Sequence, residues 1–497
     1  MELKAKTMKA VKWNFVSTAI GAFVGLLQLW LLARILPPHE YGVISLALMI
    51  ITFFNIFIDF GISNSIIRHG HITELELSSL YTINIGLGLV TFVVAFLSSP
   101  LLSHFFKSPE LTIQLQIMSF VFLFVPFGQQ QRAILSRELR FDFVAIVSII
   151  TLLTNCVLVI ALAVIFKKAW VASVAFFVST TLGCMIFFAH SLRERRPSFT
   201  FSWPAARPHI RYSVQLVLDS LINVVSVNTY PALMARMVSL TAIGGYNISY
   251  GISINLIERL KPVLVQALFP AFAKIQDDES KLTRNFLLVT SYGMLVNLPL
   301  LAGMFVCSSL VVQLFFKPEW HFIAVLVKIL CLVGMVRSID PPVISLLLVK
   351  AKMHLNVRMG VAKLLIGIVL AVLLGQRYGI VGIASSFLIV QLLNTIASYF
   401  FLVRACVVGV GRQYLTNVLI PFAQTLPIFV GAGAIVVLAP TPWPALDLAL
   451  AVAVGAIGYA LGLWFSPFAL VRDFVLLAAS GLSAKLGGHA SRAMRPS

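Results

Sequence analysis

Apolar residues in this chain do not alternate with polar ones. They run in blocks of about 20 residues, broken by short polar or proline-bearing turns, along nearly the whole sequence. Blocks of that length cross the hydrocarbon core of a bilayer as helices. The pattern predicts an all-α polytopic membrane protein with about fourteen transmembrane helices, at 12–36, 41–67, 77–99, 111–130, 143–165, 169–190, 212–238, 241–262, 285–307, 320–340, 357–375, 379–402, 413–438 and 444–466. Pro37-Pro38, Ser99-Pro100, Lys317-Pro318 and the Pro440, Pro442, Pro444 cluster fall where helices stop or start, as proline does.

Residues 31–68 organise the rest. Leu31-x-Ala33-Arg34 returns as Leu233-x-Ala235-Arg236, and at the same offset of 202 residues Gly42 falls on Gly244. A fixed offset marks a duplicated unit, and duplicated halves in membrane proteins place a substrate site at their interface. The expected organisation is two pseudo-symmetric six-helix lobes, 1–190 and 212–406. They are joined by a basic, proline-bearing cytoplasmic linker at 191–211. Helices 13 and 14 (413–466) have no counterpart in the repeat and form an accessory pair. The tail, 467–497, opens with a short apolar stretch suited to the membrane interface and ends basic on the cytoplasmic side.

Composition agrees: 59% of the residues are hydrophobic and 11% charged, against about 25% charged in a soluble domain. The net charge of +19 raises the question of nucleic acid, but position answers it. With the N-terminus inside, 29 of the 37 Lys and Arg fall on the cytoplasmic side and 7 outside, leaving Lys328 within helix 10. This is the positive-inside bias; it puts both termini in the cytoplasm and leaves no reason to expect a nucleic-acid partner. Cys156, Cys184, Cys307, Cys331 and Cys406 sit in or beside apolar runs without CxxC spacing, as small packing residues do. The first apolar run is too long for a signal peptide.

Polar positions then single out candidate chemistry. On helix 7, Tyr212, Gln215, Asp219, Asn223, Ser226 and Tyr230 follow steps of three and four and share one face. Ser45, Thr52, Asn55, Asp59 and Ser63 do the same on helix 2, and Asn247, Gly251, Asn255 and Glu258 more weakly on helix 8. Single polar residues of this kind tie helices together in lipid; a long stripe bearing a carboxylate points to a wet cavity. Asp59 and Asp219 lie eight or nine residues from Arg68 and Arg211, roughly 12–13 Å along a helix. Buried ionisable groups of this kind mark ion-coupling sites or else pair structurally. Lys328 lies near the bilayer midplane between Trp320, expected as an outer-interface anchor, and Arg337; its partner is either Asp219 or an anionic cargo. Arg34 and Arg236, related by the repeat, sit near outer helix ends where snorkelling is easy. There is no GxxxxGK[ST], HExxH or GxSxG, so neither an ATP-driven pump nor a hydrolase is indicated, and no catalytic residue, metal or cofactor is expected. Gln276-Asp277-Asp278-Glu279 lies between Lys274 and Lys281 and reads as a solvated charge cluster rather than a metal site.

LLARILPPHEYGVISLALMI followed by FIDFGISNSIIR resembles the opening of bacterial Wzx-type polysaccharide flippases of the multidrug/oligosaccharidyl-lipid/polysaccharide (MOP) superfamily. LSRELRFDFVAIVSII (135–150) and ALFPAFAKIQDDESKL (267–282) resemble further patterns of the family, most like its colanic-acid-exporter branch, and the resemblance spans about 1–406. Lys167-Lys168-Ala169-Trp170 departs from the Gly-rich apolar turn usual there. The resemblance implies an inner-membrane carrier that exports polyprenyl-diphosphate-linked oligosaccharide units by alternating access. It further implies membrane lipids and a polysaccharide polymerase or export complex as partners. Alternatives of the same architecture are a multidrug or peptidoglycan-precursor exporter. A membrane glycan polymerase or ligase would need a large outer catalytic loop, and every outer loop here is short.

Overall fold

The computed structural model describes residues 2–68, 72–194, 198–255, 258, 268, 272–350, 352–407, 411–438 and 442–476; at Tyr212, Gln215, Asp219 and Asn223 it describes the backbone alone. Among the described residues there is no strand, and ten helices are long and apolar enough to cross a membrane. These ten account for eleven of the fourteen predicted helices, because Leu355–Cys406 carries two predicted helices that meet at Gly379 (φ 57°). The other three are the polar helix Trp203–Met237, the 14-residue Leu240–Ser253 and the 15-residue Ile323–Arg337. The remainder of predicted helix 8 lies largely outside the described residues.

The helices pack as two compact units, Met1–Gly251 with Gly367–Ile383, and Ile252–Ile366 with Ala384–Ser497. The first contains α1 (Glu2–Ile35), α2 (Pro38–Asp59), α3 (Ile62–Arg68), α4 (Glu74–Phe105), α5 (Glu110–Ser119), α6 (Val121–Arg137), α7 (Phe141–Phe166), α8 (Trp170–Glu194), α9 (Trp203–Met237) and most of α10 (Leu240–Ser253). The unit boundary differs from the repeat boundary at 191–211. By the repeat α9 belongs to the second half, yet it packs on α2, α3 and α4; packing and duplication divide the chain by different criteria. Leu32, Leu36, Leu46, Ile51, Leu111 and Phe122 form the middle of this unit's core.

The second unit contains α11 (Glu279–Phe315), α12 (Ile323–Arg337), α13 (Asp340–Val349), parts of α14 (Met353–Ser398), α15 (Gly411–Gln424), α16 (Leu426–Leu438) and α17 (Pro444–Trp464). Long α11 is its spine, contacted by α12, α15, α16 and α17. Phe286, Met294, Leu298, Val327, Cys331 and Leu346 are buried together around it. Facing outward are large apolar side chains: Phe23, Leu97, Leu101, Val430 and Val437 are 68–73% exposed. A soluble protein does not present so many; in lipid they are in their solvent.

Four details differ from the sequence expectation. Pro100, expected to stop helix 3 at Ser99, lies inside α4, which runs on to Phe105. Predicted helix 2 (41–67) is broken, because Phe60 (φ 41°) and Gly61 (φ 71°) adopt left-handed backbone and α3 begins anew at Ile62. Gly61 is also where Ser213 of α9 packs, its Cα 3.1 Å from where a Cβ would stand, so glycine serves both the conformation and the close approach. Predicted helix 4 is split at Phe120 into α5 and α6 and runs on to Arg137. Trp320, expected as an interface anchor, is fully buried and stacks on Phe322.

The atypical Lys167-Lys168-Ala169 turn has a structural use. Lys167 closes α7 in left-handed conformation. The Ala169 N–H then donates to Glu40 Oε2 at 2.6 Å, and Lys168 Nζ sits 3.2 Å from Glu40 Oε1. Glu40, in the first turn of α2, is 7% exposed, and a buried carboxylate needs such partners.

Candidate functional site

Two features of the first unit define the site: a closed helix crossing and a cavity. At the crossing, a Cβ on Gly42 would overlap the backbone carbonyl of Leu240, and a Cβ on Gly244 would stand 2.8 Å from the Pro38 carbonyl oxygen and 3.0 Å from the Gly42 nitrogen. Pro38 and Leu240 are themselves 202 residues apart, like Gly42 and Gly244. Each glycine therefore meets the repeat mate of the residue that its own mate meets. Reciprocity of this kind is the mark of a two-fold contact, here within one chain. The sequence repeat is thus also a physical contact between α2 and α10.

The cavity has a volume of about 310 Å³ and is lined by Thr52, Asn55, Ile56 and Asp59 of α2, by Gly61 and Asn64, and by Val217, Ser220 and Val224 of α9. The polar stripe predicted on helix 2 opens onto it through Thr52, Asn55 and Asp59. Three hydrogen bonds to Asp59 converge on one oxygen. Oδ1 accepts from the Ser63 hydroxyl at 2.5 Å, the Ser63 N–H at 3.2 Å and Gln129 Nε2 at 2.6 Å. Asp59 thereby bridges the break between α2 and α3 and ties it to α6, while among the described residues Oδ2 has no such bond. The carboxylate is anchored by one oxygen and presents the other.

On α9 the lining residues lie roughly a third of a turn from the predicted stripe, at 3.6 residues per turn. Of that stripe, Ser226 donates to the Ile222 carbonyl of its own helix, and Tyr230 is buried with its phenol oxygen 2.7 Å from where a Cβ on Gly367 would stand. The side chains of Tyr212, Gln215, Asp219 and Asn223 lie outside the described residues. Single cysteines at Ser220 and Val224, in a cysteine-free background, should react with a small polar thiol reagent; one at fully buried Ser213 should not. Cysteines at Gln215, Asn223 and Ser226 test the stripe in the same experiment: labelling no stronger than at Leu216, Leu221 and Val225 would make it a packing face.

The remaining candidates are placed individually. Arg34 is exposed with its guanidinium 5.7 Å from the centre of the Trp30 ring, and Arg236 is exposed 5.5 Å from that of Phe105. In the second unit Lys328 is half-buried on the less buried side of α12, beside half-exposed Val325, with no hydrogen bond or ion pair among the described residues. Its suggested partner Asp219 is one of the undescribed side chains.

Sequence reading missed a second lysine. Lys363, counted above with a cytoplasmic loop, lies ten residues into α14, about 15 Å along it. It donates to Oε1 of fully buried Gln391 at 2.6 Å. Arg337, which bounds Lys328's helix on the side away from Trp320, has a side chain only 15% exposed and pairs with Glu258 at 2.8 Å, with Asp340 at 3.9 Å. Its guanidinium lies over Phe387, one turn before Gln391. One face of α14 thus meets two cations, and Gln391 and Lys363 reveal themselves as a pair only in the fold.

Two clusters with catalytic residue types are structural. Ser65 Oγ lies 2.8 Å from His209 Nδ1, and His209 Nε2 lies 3.7 Å from Glu76 Oε1. This line looks like a hydrolytic triad, but Ser65 is 0% and His209 2% exposed; it fastens α3 and the first turn of α4 to α9. Asp278, in the acidic run, caps α11 by accepting from the Lys281 N–H at 3.0 Å and lies 3.1 Å from its ammonium, which holds its carboxyl below the usual range. Among the described residues no group of three or more His, Cys, Asp or Glu is placed to hold a metal ion.

Residues 31–325 match the polysaccharide biosynthesis protein family. The lipopolysaccharide biosynthesis protein WzxC of Escherichia coli (strain K12) is 35% identical over 430 residues, 86% of this chain and 87% of that protein. The chain belongs to this family. Among solved structures, the lipid II flippase MurJ in an inward closed conformation aligns with a TM-score of 0.70 at 14% identity, over 92% of this chain and 98% of that one. An inward-facing multidrug resistance MATE transporter of the MOP superfamily aligns at 0.62 and 11%, over 81% and 95%. At these identities the likeness is one of fold, and it is the fold that the family's opening motif led us to expect.

Proposed function

We propose that this protein is a flippase of the bacterial inner membrane. It moves polyprenyl-diphosphate-linked oligosaccharide repeat units outward for surface polysaccharide synthesis by alternating access. The likeness to WzxC, sustained at 35% identity over 86% of the chain, carries this reading, and the reciprocal glycine contact and the carboxylate-bearing cavity are the parts such a cycle needs. Burying one unpartnered hydroxyl costs about 2–7 kcal/mol, so a glycan needs a polar path while its lipid tail stays in the bilayer. An inside-negative potential helps an anionic headgroup outward by about 2.3 kcal/mol per charge per 100 mV.

In this reading Asp59 and Asp219 are ion-coupling groups. Asn55 and the α9 stripe (Tyr212, Gln215, Asn223, Ser226, Tyr230) face the glycan, while Lys328, with Arg34 and Arg236 nearer the outside, meets the diphosphate. A polymerase or export complex takes the product onward.

Deletion of the gene should leave lipid-linked glycan in the inner leaflet alone, with restoration by the wild-type chain; glycan still reaching the outer leaflet would reject the flippase reading. In the same assay Lys328→Met should reduce export at normal expression. Orientation is checked by reporter fusions. Those after residues 200, 275, 350 and 480 should report cytoplasm and those near 105 and 442 the outside; an outside signal at 200 would invert the assignment.

A further inference from the structure

The second unit contains a cavity of about 800 Å³ that the export path does not require. Its walls come from the first turns of α11 and α15, the end of α13, the residues after α14, and a short helix at 469–476. Three cations line it, Arg284, Lys350 and Arg412, against two carboxylates, Glu279 and Asp473. Lys350 and Glu279 answer each other at 3.8 Å. Neither Arg284 nor Arg412 has a carboxylate within ion-pair distance among the described residues. Leu287, Leu288 and Leu470 contribute to the apolar part of the wall.

The depth of this cavity is marked by its surroundings. Just before the short helix, Trp464 and Phe465 are 73% and 75% exposed, as aromatic residues are at the level of lipid headgroups. The short helix is fixed, not dangling: Val471 is fully buried with Leu295 and Ile420, and Phe474 packs on Tyr292 with ring centres 5.3 Å apart. A walled, net cationic cavity at headgroup depth, with leucines in its wall, matches one chemistry. Guanidinium groups take a phosphate diester in a planar fork, and basic pockets between membrane helices bind acidic headgroups.

We propose that this cavity binds the headgroup of an anionic phospholipid, its phosphate between Arg284 and Arg412 and its acyl chains along Leu287, Leu288 and Leu470. Once Lys350 and Glu279 are paired, the site carries one net positive charge, which a singly charged phosphate diester neutralises. Asp473 opposes the anion and limits affinity. Binding does not depend on the flippase reading.

The test is titration of delipidated full-length protein in neutral detergent with phosphatidylglycerol, read by native mass spectrometry and by the rise in unfolding temperature. Phosphatidylethanolamine, phosphatidylcholine and inorganic phosphate serve as comparators. One saturable phosphatidylglycerol should bind, and the double variant Arg284→Gln/Arg412→Gln should bind it about thirtyfold more weakly. Arg472→Gln, outside the cavity, should leave binding unchanged. Asp473→Asn should tighten binding severalfold, a gain that a damaged fold does not produce. Equal binding of the zwitterionic lipids, unaltered affinity in the double variant, or weaker binding in Asp473→Asn would overturn the proposal. So would a shift fully reproduced by inorganic phosphate, which would make this an ion site and not a lipid site.

Discussion

Gly42→Ala should weaken the closed α2–α10 crossing and abolish most export while leaving the protein in the membrane at near-normal abundance. The added methyl would occupy the place of the Leu240 backbone carbonyl, and a backbone group has no rotamer by which to withdraw. The two helices must separate. Overpacking of this kind costs about 1–3 kcal/mol, enough to move a two-state balance roughly 5–150-fold. Gly244→Ala should act in the same direction with a smaller effect, because its nearest obstacle is the Pro38 oxygen at 2.8 Å. The measurement is side-specific labelling of a cysteine at Asn55 by a membrane-impermeant reagent. In the parent protein it should be reached from one side of the membrane, and in Gly42→Ala from the other as well. Unchanged sidedness with full export would show that the crossing is passive packing.

Asp59 gives the second large effect, through a contrast between two substitutions. Asparagine can keep a carbonyl oxygen where Oδ1 stands and so retain the donors from Ser63 and Gln129; it changes only the charge and the oxygen facing the cavity. Alanine removes the whole anchor at the break between α2 and α3, at about 1–3 kcal/mol for donors left unanswered. Asp59→Asn should therefore match the parent in thermal stability in detergent while losing gradient-dependent transport, as the proposed ion-coupling role of this carboxylate requires. Asp59→Ala should lose both. Full, gradient-dependent transport by a reconstituted Asp59→Asn protein would reduce Asp59 to a structural bridge.

What the sequence disclosed follows from which signals are local. Apolar block length is local, so most of the spans, their approximate ends and the membrane class were legible. The repeat was legible too, and it located a contact, because Gly42 and Gly244 had to be glycines for the same steric reason. The break at Phe60-Gly61 was missed because the surrounding residues are apolar enough to continue a helix, and the left-handed backbone and the approach of Ser213 that the glycine serves belong to the tertiary fold. Lys363 was missed because a lysine six residues into a predicted span is indistinguishable from a frayed helix end until Gln391 is seen opposite. Trp320 was misplaced for a related reason: tryptophan suits both an interface and a packed corner, and its neighbours in space decide between them. The offset of the described cavity from the α9 stripe is also tertiary, since helical periodicity defines faces without saying which neighbour each one meets.

The reciprocal glycine contact also limits how the gene can change. Gly42 follows Arg34 by eight positions, and Gly244 follows Arg236 by the same eight. Because each glycine is read by the other copy's turn, an insertion or deletion in either turn alone would slide one helix out of register and put a side chain where backbone now lies. Loop length here is therefore not free to vary as it is at most surface turns. The two turns should be found lengthened or shortened together, at positions 202 residues apart, or not at all.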